Sequence, residues 1–220
     1  MMNTEPLQHS LPTENGYYPL QPGKLAALTI YYERFGPFVA DAPRWSDDIS
    51  VERLGSDQMA DYRTLFRRVG ERWLWVSRLD MSDAELATLL ANHDIEVLGL
   101  RRGDEWIGML EIDFSTKNEA EIVYIGLIEG VTGAGIGRAM VNHVVMRASK
   151  RATQRIWLHT CHFDSAQASK FYEACGFSAY HLAVEIMDDP RLKGQLPSHA
   201  APHVPLITPA SVKRGYERPL

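Results

Sequence analysis

Apolar and polar positions follow two different periods along this chain. LAALTIYYERF (25–35) and ISVERL (49–54) are short runs rich in β-branched and aromatic residues and read as strands. Between them GPFVADAPRWSDD, with prolines at 37 and 43, reads as a loop. From Asp57 the period turns helical, and Tyr62, Leu65, Phe66, Val69 and Trp73 fall on one face. Ser82 and Glu85 form a capping box that opens a short helix through Leu86, Leu89 and Leu90. The strand pattern returns in IEVLGLRRGDEWIGMLEIDF (95–114), a hairpin turning at Arg-Gly-Asp-Glu, and in EAEIVYIGLI (119–128). A helix is expected from about Ile136 to Thr153, then the strand IWLHTCHF (156–163). Asp164, with Gln167 three residues on, predicts a second capping box for a helix that ends at Gly176. FSAYHLAVEIM (177–187) is the last expected strand.

The resulting order implies an α/β fold with a mixed sheet. Strands joined by short turns pair antiparallel, and the strand–helix–strand unit at 120–163 implies one central parallel pair flanked by helices. Residues 1–24 show no period and read as a flexible leader, 25–190 as one domain with its core at 49–187, and 191–220 as an extended C-terminal tail. The chain is long enough for one domain with a real core. A net charge of −5 argues against a general nucleic-acid binder. Two cysteines, Cys161 and Cys175, are too few for a disulfide framework and suit a reducing compartment. No signal peptide or membrane-length apolar run is evident, so a cytoplasmic protein with no membrane partner is expected.

The stretch GVTGAGIGRAMV (130–141) sets glycines at 130, 133, 135 and 137 between a strand and a helix. Free N–H groups and the helix dipole at such a junction favour an anion. A dinucleotide fingerprint from Gly133 fails because Arg138 stands where its last glycine belongs, and a P-loop from Gly130 fails for want of a lysine. Thr132-Gly133-Ala134-Gly135-Ile136-Gly137 resembles instead the Gln/Arg-x-x-Gly-x-Gly/Ala loop of the GNAT superfamily of acyl-CoA-dependent N-acyltransferases. SKFYEACGF (169–177) is similar to that superfamily's Phe/Leu-Tyr-Glu-x-x-Gly-Phe segment. The resemblance covers about residues 49–187, with one departure: Thr132 replaces the loop's Gln or Arg. More narrowly, VGERWLWVSRLDMS (69–82), LHTCHFD (158–164) and DDPRL with APHVPLI (188–192, 201–207) resemble a bacterial branch of the superfamily. Between Glu129 and Asp164 the chain has no acidic residue but five basic ones, Arg138, Arg147, Lys150, Arg151 and Arg155. A polyanion would be drawn to that segment.

The resemblance implies acetyl transfer from acetyl-CoA to the primary amine of a small-molecule or peptide acceptor, with no metal. It assigns the acyl donor to Leu127, Glu129, Thr132, Gly133, Ala134, Gly135, Ile136, Gly137, Arg138, Ser165 and Tyr172. Tyr172 is expected to protonate the leaving thiolate. Glu121, in an Ala-Glu-Ile-Val run, is the leading base, and Glu111 and Asp113, two apart on the preceding strand, compete with it. Any of the three carboxylates equally suits an exposed site or an arginine pair. Gly126 is expected to mark a bulge that opens the strands for the donor. Trp73, Trp75 and Trp45 are expected near the acceptor. His159 and Cys161 share a strand face and His162 points away, but no second ligand cluster supports zinc. The competing reading is a non-catalytic acyl-CoA-binding regulatory or interaction domain. The oligomeric state stays open, a homodimer included.

Overall fold

Seven strands, hydrogen-bonded in the order β2-β3-β4-β5-β6-β1-β7, carry the whole architecture in a computed structural model that describes residues 14–39, 42–131 and 135–208. The strands are β1 (Lys24–Phe35), β2 (Ile49–Arg53), β3 (Ile95–Arg102), β4 (Glu105–Asp113), β5 (Glu119–Leu127), β6 (Arg155–Cys161) and β7 (Ser178–Asp188). The helices are α1 (Met59–Gly70), α2 (Asp83–Ala91), α3 (Ile136–Lys150) and α4 (Ala168–Ala174). All pairings are antiparallel except β5 with β6, which are parallel. The expected mixed α/β sheet with one central parallel pair is therefore present.

α1 lies on one face of the sheet, where its buried Tyr62, Leu65, Phe66 and Val69 continue the core. α3 and α4 lie on the other. Arg147 of α3 pairs with Glu96 of β3, and Tyr172 of α4 packs on Tyr32 of β1. α1 stops at Gly70. Trp73 therefore belongs to a following 3-10 turn and not to the α1 stripe, because Leu74 takes a left-handed conformation (φ 62°) that ends the helical path. Trp45 packs on His143 of α3, on the face opposite α1 and away from Trp75.

Three further expectations need correction. The capping box at Ser82 and Glu85 is formed, but the one at Asp164 and Gln167 is not. Asp164 instead accepts from the Thr160 hydroxyl (2.7 Å) and the Cys161 N–H (2.9 Å), so its carboxylate is spent closing the end of β6 and α4 begins only at Ala168. α3 ends at Lys150 rather than Thr153, since Ala152 turns left-handed (φ 53°).

The third correction is the tail. Residues 189–204 are no extended arm. Asp189 and Arg191 form a buried ion pair at 2.7 Å, and Arg191 also donates to the carbonyls of Ala200, Val204 and Pro205. That knot seats Leu196, Ala200, Ala201 and Val204 on Leu25 and Ala27 of β1, Leu74 and Phe163, a second small core on the α1 face. The polar, proline-rich composition hid the few apolar residues that do this. Residues 209–220 lie outside the described residues, as do 1–13 of the expected leader.

Candidate active site

β5 and β6 pair for only three residues, ending at Glu121 opposite Trp157. Past that point the two strands run on without bonding, to Leu127 and Cys161. The ladder breaks where two parallel strands carry free N–H and C=O groups inward, which is a place for a ligand to insert. The bulge lies at Val123, where the register against β4 shifts between Ile112–Ile122 and Glu111–Tyr124. It is not at Gly126, which pairs regularly with Met109. Gly126 is needed for another reason: an added Cβ would stand 2.5 Å from Val69 of α1. The Val123 bulge brings Glu121 and Tyr124, three apart, onto the same face.

Across that face three carboxylates have different fates. Glu111 is fully buried, bonded to Arg78 at 2.6 Å and to the Tyr62 hydroxyl at 2.8 Å. It is the arginine-paired carboxylate that the sequence allowed for, and solvent does not reach it. Asp113, on the same face, accepts from the Ser115 N–H. Glu121 stands opposite Asp113 and has no Lys or Arg partner among the described residues. Burial, then the charge of Asp113, push its carboxyl up to about 7. His159 Nδ1 lies 3.9 Å from Glu121, and burial lowers the imidazole's pKa so that the neutral form is favoured.

Aromatic groups frame Glu121 on both sides. Trp75 packs on Phe66 and on Tyr124, whose hydroxyl lies 2.5 Å from the Ser77 Oγ. Trp157 follows on β6, with Tyr31 of β1 beyond it. At the C-terminal end of β6 a cavity of about 540 Å³ is lined by Thr160, Cys161, Asp164 and Ser165, with Trp73 and His203 on the opposite wall. Trp73 and His203 meet edge to face, and His203 bonds to the Phe163 carbonyl. Nothing in the sequence brought His203 to this wall, because its place depends on the Asp189–Arg191 knot. Cys161 is partly exposed, and burial, then Asp164, push its thiol up to about 11, which makes it a poor nucleophile.

Of the residues expected to hold an acyl donor, Thr132, Gly133 and Ala134 lie outside the described residues. Gly135 is the N-cap of α3 in a left-handed conformation (φ 74°), and the helix ladder begins with Ala139 bonding to its carbonyl. The N–H groups of the first turn thus have no partner within the helix. Gly137 admits Phe171 of α4, since a Cβ there would meet its ring at 3.3 Å. Arg138 donates to the Ala174 carbonyl at the end of α4. Leu127 closes β5 opposite Gly108, and Glu129 pairs with Arg72, another residue of the cavity wall. Tyr172 is buried among Tyr32, Phe171 and Phe177 and is not part of the cavity lining; burial raises its pKa, so the hydroxyl keeps its proton. Among the described residues no group of three or more His, Cys, Asp or Glu side chains is placed to hold a metal, and no helix is long and apolar enough to cross a membrane.

A family model, the acetyltransferase (GNAT) family, matches residues 57–177, more than half of the chain. The chain belongs to the GNAT acetyltransferase family. That span holds α1 to α4 and strands β3 to β6, with Glu121, the glycine loop and Tyr172. β1, β7 and residues 189–204 lie outside it. No curated protein matches the sequence. Among solved structures, a GCN5-related N-acetyltransferase from Sphaerobacter thermophilus aligns with a TM-score of 0.57 at 15% identity, over 76% of this chain and 52% of that one. The chain thus spans about half the length of that relative. A functionally unknown conserved protein from Staphylococcus epidermidis aligns at 0.55 and 17% identity, over 76% of this chain and 63% of that one. An aminoglycoside acetyltransferase from an uncultured soil metagenomic sample aligns at 0.53 and 15% identity, over 64% of this chain and 95% of that one. At these identities the likeness is one of fold.

Proposed function

We propose that the protein transfers an acetyl group from acetyl-CoA directly to a primary amine, with Glu121 as the general base. The observation that carries this reading is Glu121 itself: a carboxylate just where β5 and β6 part, in no ion pair with Lys or Arg among the described residues, and raised to about 7. A base near neutrality is the one best matched to neutral-pH proton transfer. The surroundings suit the donor. Unpaired strand groups past Glu121 can hold an extended amide-bearing arm, and the α3 N-terminus behind Gly135 presents N–H groups to a pyrophosphate. Thr132, Gly133 and Ala134 complete that loop in sequence, and Ser165 offers a hydroxyl on the cavity wall.

In this reading the amine nitrogen attacks the thioester carbonyl and a C–N bond forms. Glu121, directly or through a water, takes the ammonium proton, and the C–S bond breaks to release coenzyme A. The leaving sulfur takes a proton; the family resemblance assigns its supply to Tyr172, whose hydroxyl is protonated but buried off the cavity, so the donor arm has to reach it from the gap between β5 and β6. The test is the pH–rate profile of Glu121→Gln with acetyl-CoA and any accepted amine. The wild type should lose rate below about pH 7, following Glu121. The variant should fall by about 10²–10⁴-fold at neutral pH and recover in part as the pH rises and the amine deprotonates unaided. A variant that keeps both the wild-type rate and its acidic limb places the base elsewhere.

A further inference from the structure

β7 closes the sheet at one edge and, among the described residues, pairs with β1 alone. Its register is regular from His181 opposite Tyr31 to Asp188 opposite Lys24. That extended backbone turns every second N–H and C=O outward, a template for another strand. Protein edges are ordinarily blunted by lysine, proline or a bulge. HLAVEIMD (181–188) holds no lysine, arginine or proline, and the irregularity of the β1–β7 ladder lies before it.

The two faces of this edge differ. His181 meets Tyr31 and Met187 joins the small core of residues 189–204, so Ala183 and Glu185 between them also point to the α1 face. Leu182, Val184 and Ile186 therefore point to the other face, where they are 58%, 41% and 50% exposed. Leu28 of β1, opposite Val184, is 43% exposed beside them. Large apolar side chains gathered in water along an unpaired strand mark an interaction surface.

The occupant that fits both faces is a second copy of the same strand. A two-fold axis through Ala183 pairs β7 antiparallel with itself. Leu182 then stands opposite the partner's Val184, and Val184 opposite the partner's Leu182, in one apolar cluster. On the α1 face His181 stands opposite the partner's Glu185, and Glu185 opposite the partner's His181. An imidazole so faces a carboxylate on each side of the small, self-opposed Ala183. Moving the axis to Val184 sets Glu185 against Ala183 and loses both pairs. Moving it to Glu185 sets two carboxylates face to face, which is unfavourable. We propose that the protein is a homodimer in which β7 of each copy joins the two sheets into one, with Ala183 on the two-fold axis. Every contact of such an interface occurs twice. One strand edge is a small interface, so the dimer should dissociate on dilution. β5, with Glu121, lies three strands inward, so the dimer stands or falls apart from the acetyl-transfer reading.

The test is sedimentation velocity of the full chain over an about hundredfold range of concentration. The wild type should pass from monomer to dimer. Leu182→Lys places a charge in the apolar cluster twice and should stay monomeric throughout. Glu185→Gln should raise the dimer's Kd by about three- to tenfold. In a Cys161→Ser background, Ala183→Cys should link two copies by a disulfide, because opposed residues of an antiparallel pair lie within its reach, and Glu185→Cys should not. If Leu182→Lys fails to fold, the Glu185→Gln shift and the cross-link decide. A wild type that is monomeric at every concentration overturns the proposal. So does a dimer that survives Leu182→Lys, or one that links through Glu185→Cys in place of Ala183→Cys. A monomer whose β7 amides exchange faster once residues 1–13 or 209–220 are removed identifies the chain's own end as the occupant, and the proposal falls with it.

Discussion

The two halves of the sheet's α1 face treat charge in opposite ways. Over β3 to β5, α1 and the segment after it close the face, and the carboxylate buried deepest there, Glu111, has Arg78 and Tyr62 supplied to it by the same covering segments. Over β6, β1 and β7, among the described residues, 189–204 with Leu74 and Phe163 cover the face at one end, and His159 keeps 43% of its side chain exposed. Glu121 lies on the boundary. It is buried enough to lose much of its hydration, and the cation that acts on it, Arg78, is bonded to Glu111 and lowers its pKa less than burial and Asp113 raise it. A carboxylate that is buried without an ion pair holds its proton to near neutral pH, as Glu121 does. The same residue type, ten positions apart on adjacent strands, therefore serves packing in one place and, in the proposed reaction, chemistry in the other.

The comparison breaks most sharply at Arg78. Arg78→Met would leave Glu111 fully buried with no cation, a situation that costs about 3–5 kcal/mol when one partner of a buried pair is removed. The expected result is a large drop in the denaturation midpoint that the double variant Arg78→Met/Glu111→Leu mostly restores. A single variant as stable as wild type would mean that the pair contributes little and that the face is less tightly closed than described.

A second buried pair, Asp189–Arg191, tests whether the open half is held by its own lock. Asp189→Asn strands Arg191 in the same way, but the segment that carries it can lift away and return the guanidinium to water. The cost is then limited by local opening, about 1–3 kcal/mol, and appears as hydrogen exchange confined to residues 189–204. Trp73 and His203 should lose their contact at the cavity wall with it. Faster exchange throughout the sheet would show that this segment and the core unfold as one unit.

Much of this arrangement was legible in the sequence, for reasons that separate local from distant causes. The strands and α1 to α3 announce themselves by period, and Ser82 with Glu85 by a bond spanning three residues. The pairing of Glu111 and Asp113 on one face follows from strand alternation alone. What escaped were effects of chain segments far apart. β1, first in the chain, lies between β6 and β7, so Tyr31 meets His159 and His181 at separations of more than 120 residues. Arg78 reaches Glu111 across 33 residues, and only that contact removed Glu111 from the candidate bases. The Val123 bulge has no glycine or proline to mark it, so alternation alone places Tyr124 on the wrong face. The 189–204 knot hides two buried charges in a segment whose composition reads as solvated.

The smallest effect is the one that probes the boundary residue directly, through stability rather than rate. Glu121 has a folded pKa near 7 against an ordinary carboxylate value of about 4.5. Between those values the folded protein holds a proton that the unfolded chain has released, so the unfolded state binds fewer protons and stability falls as the pH rises through that window. Above it the folded state carries the full penalty of a half-buried, unpaired charge. Glu121→Gln removes the ionisable group and keeps its shape. The variant should match the wild type near pH 4 and exceed it by about 1–3 kcal/mol at pH 8, the low end being favoured because a fifth of the side chain still meets water. Denaturation midpoints at the two pH values measure the difference. A gain of stability with loss of activity is what a site residue predicts; a variant that is less stable at pH 8 would mean that the Glu121 carboxylate has a cationic partner and belongs with Glu111 on the closed side of the face.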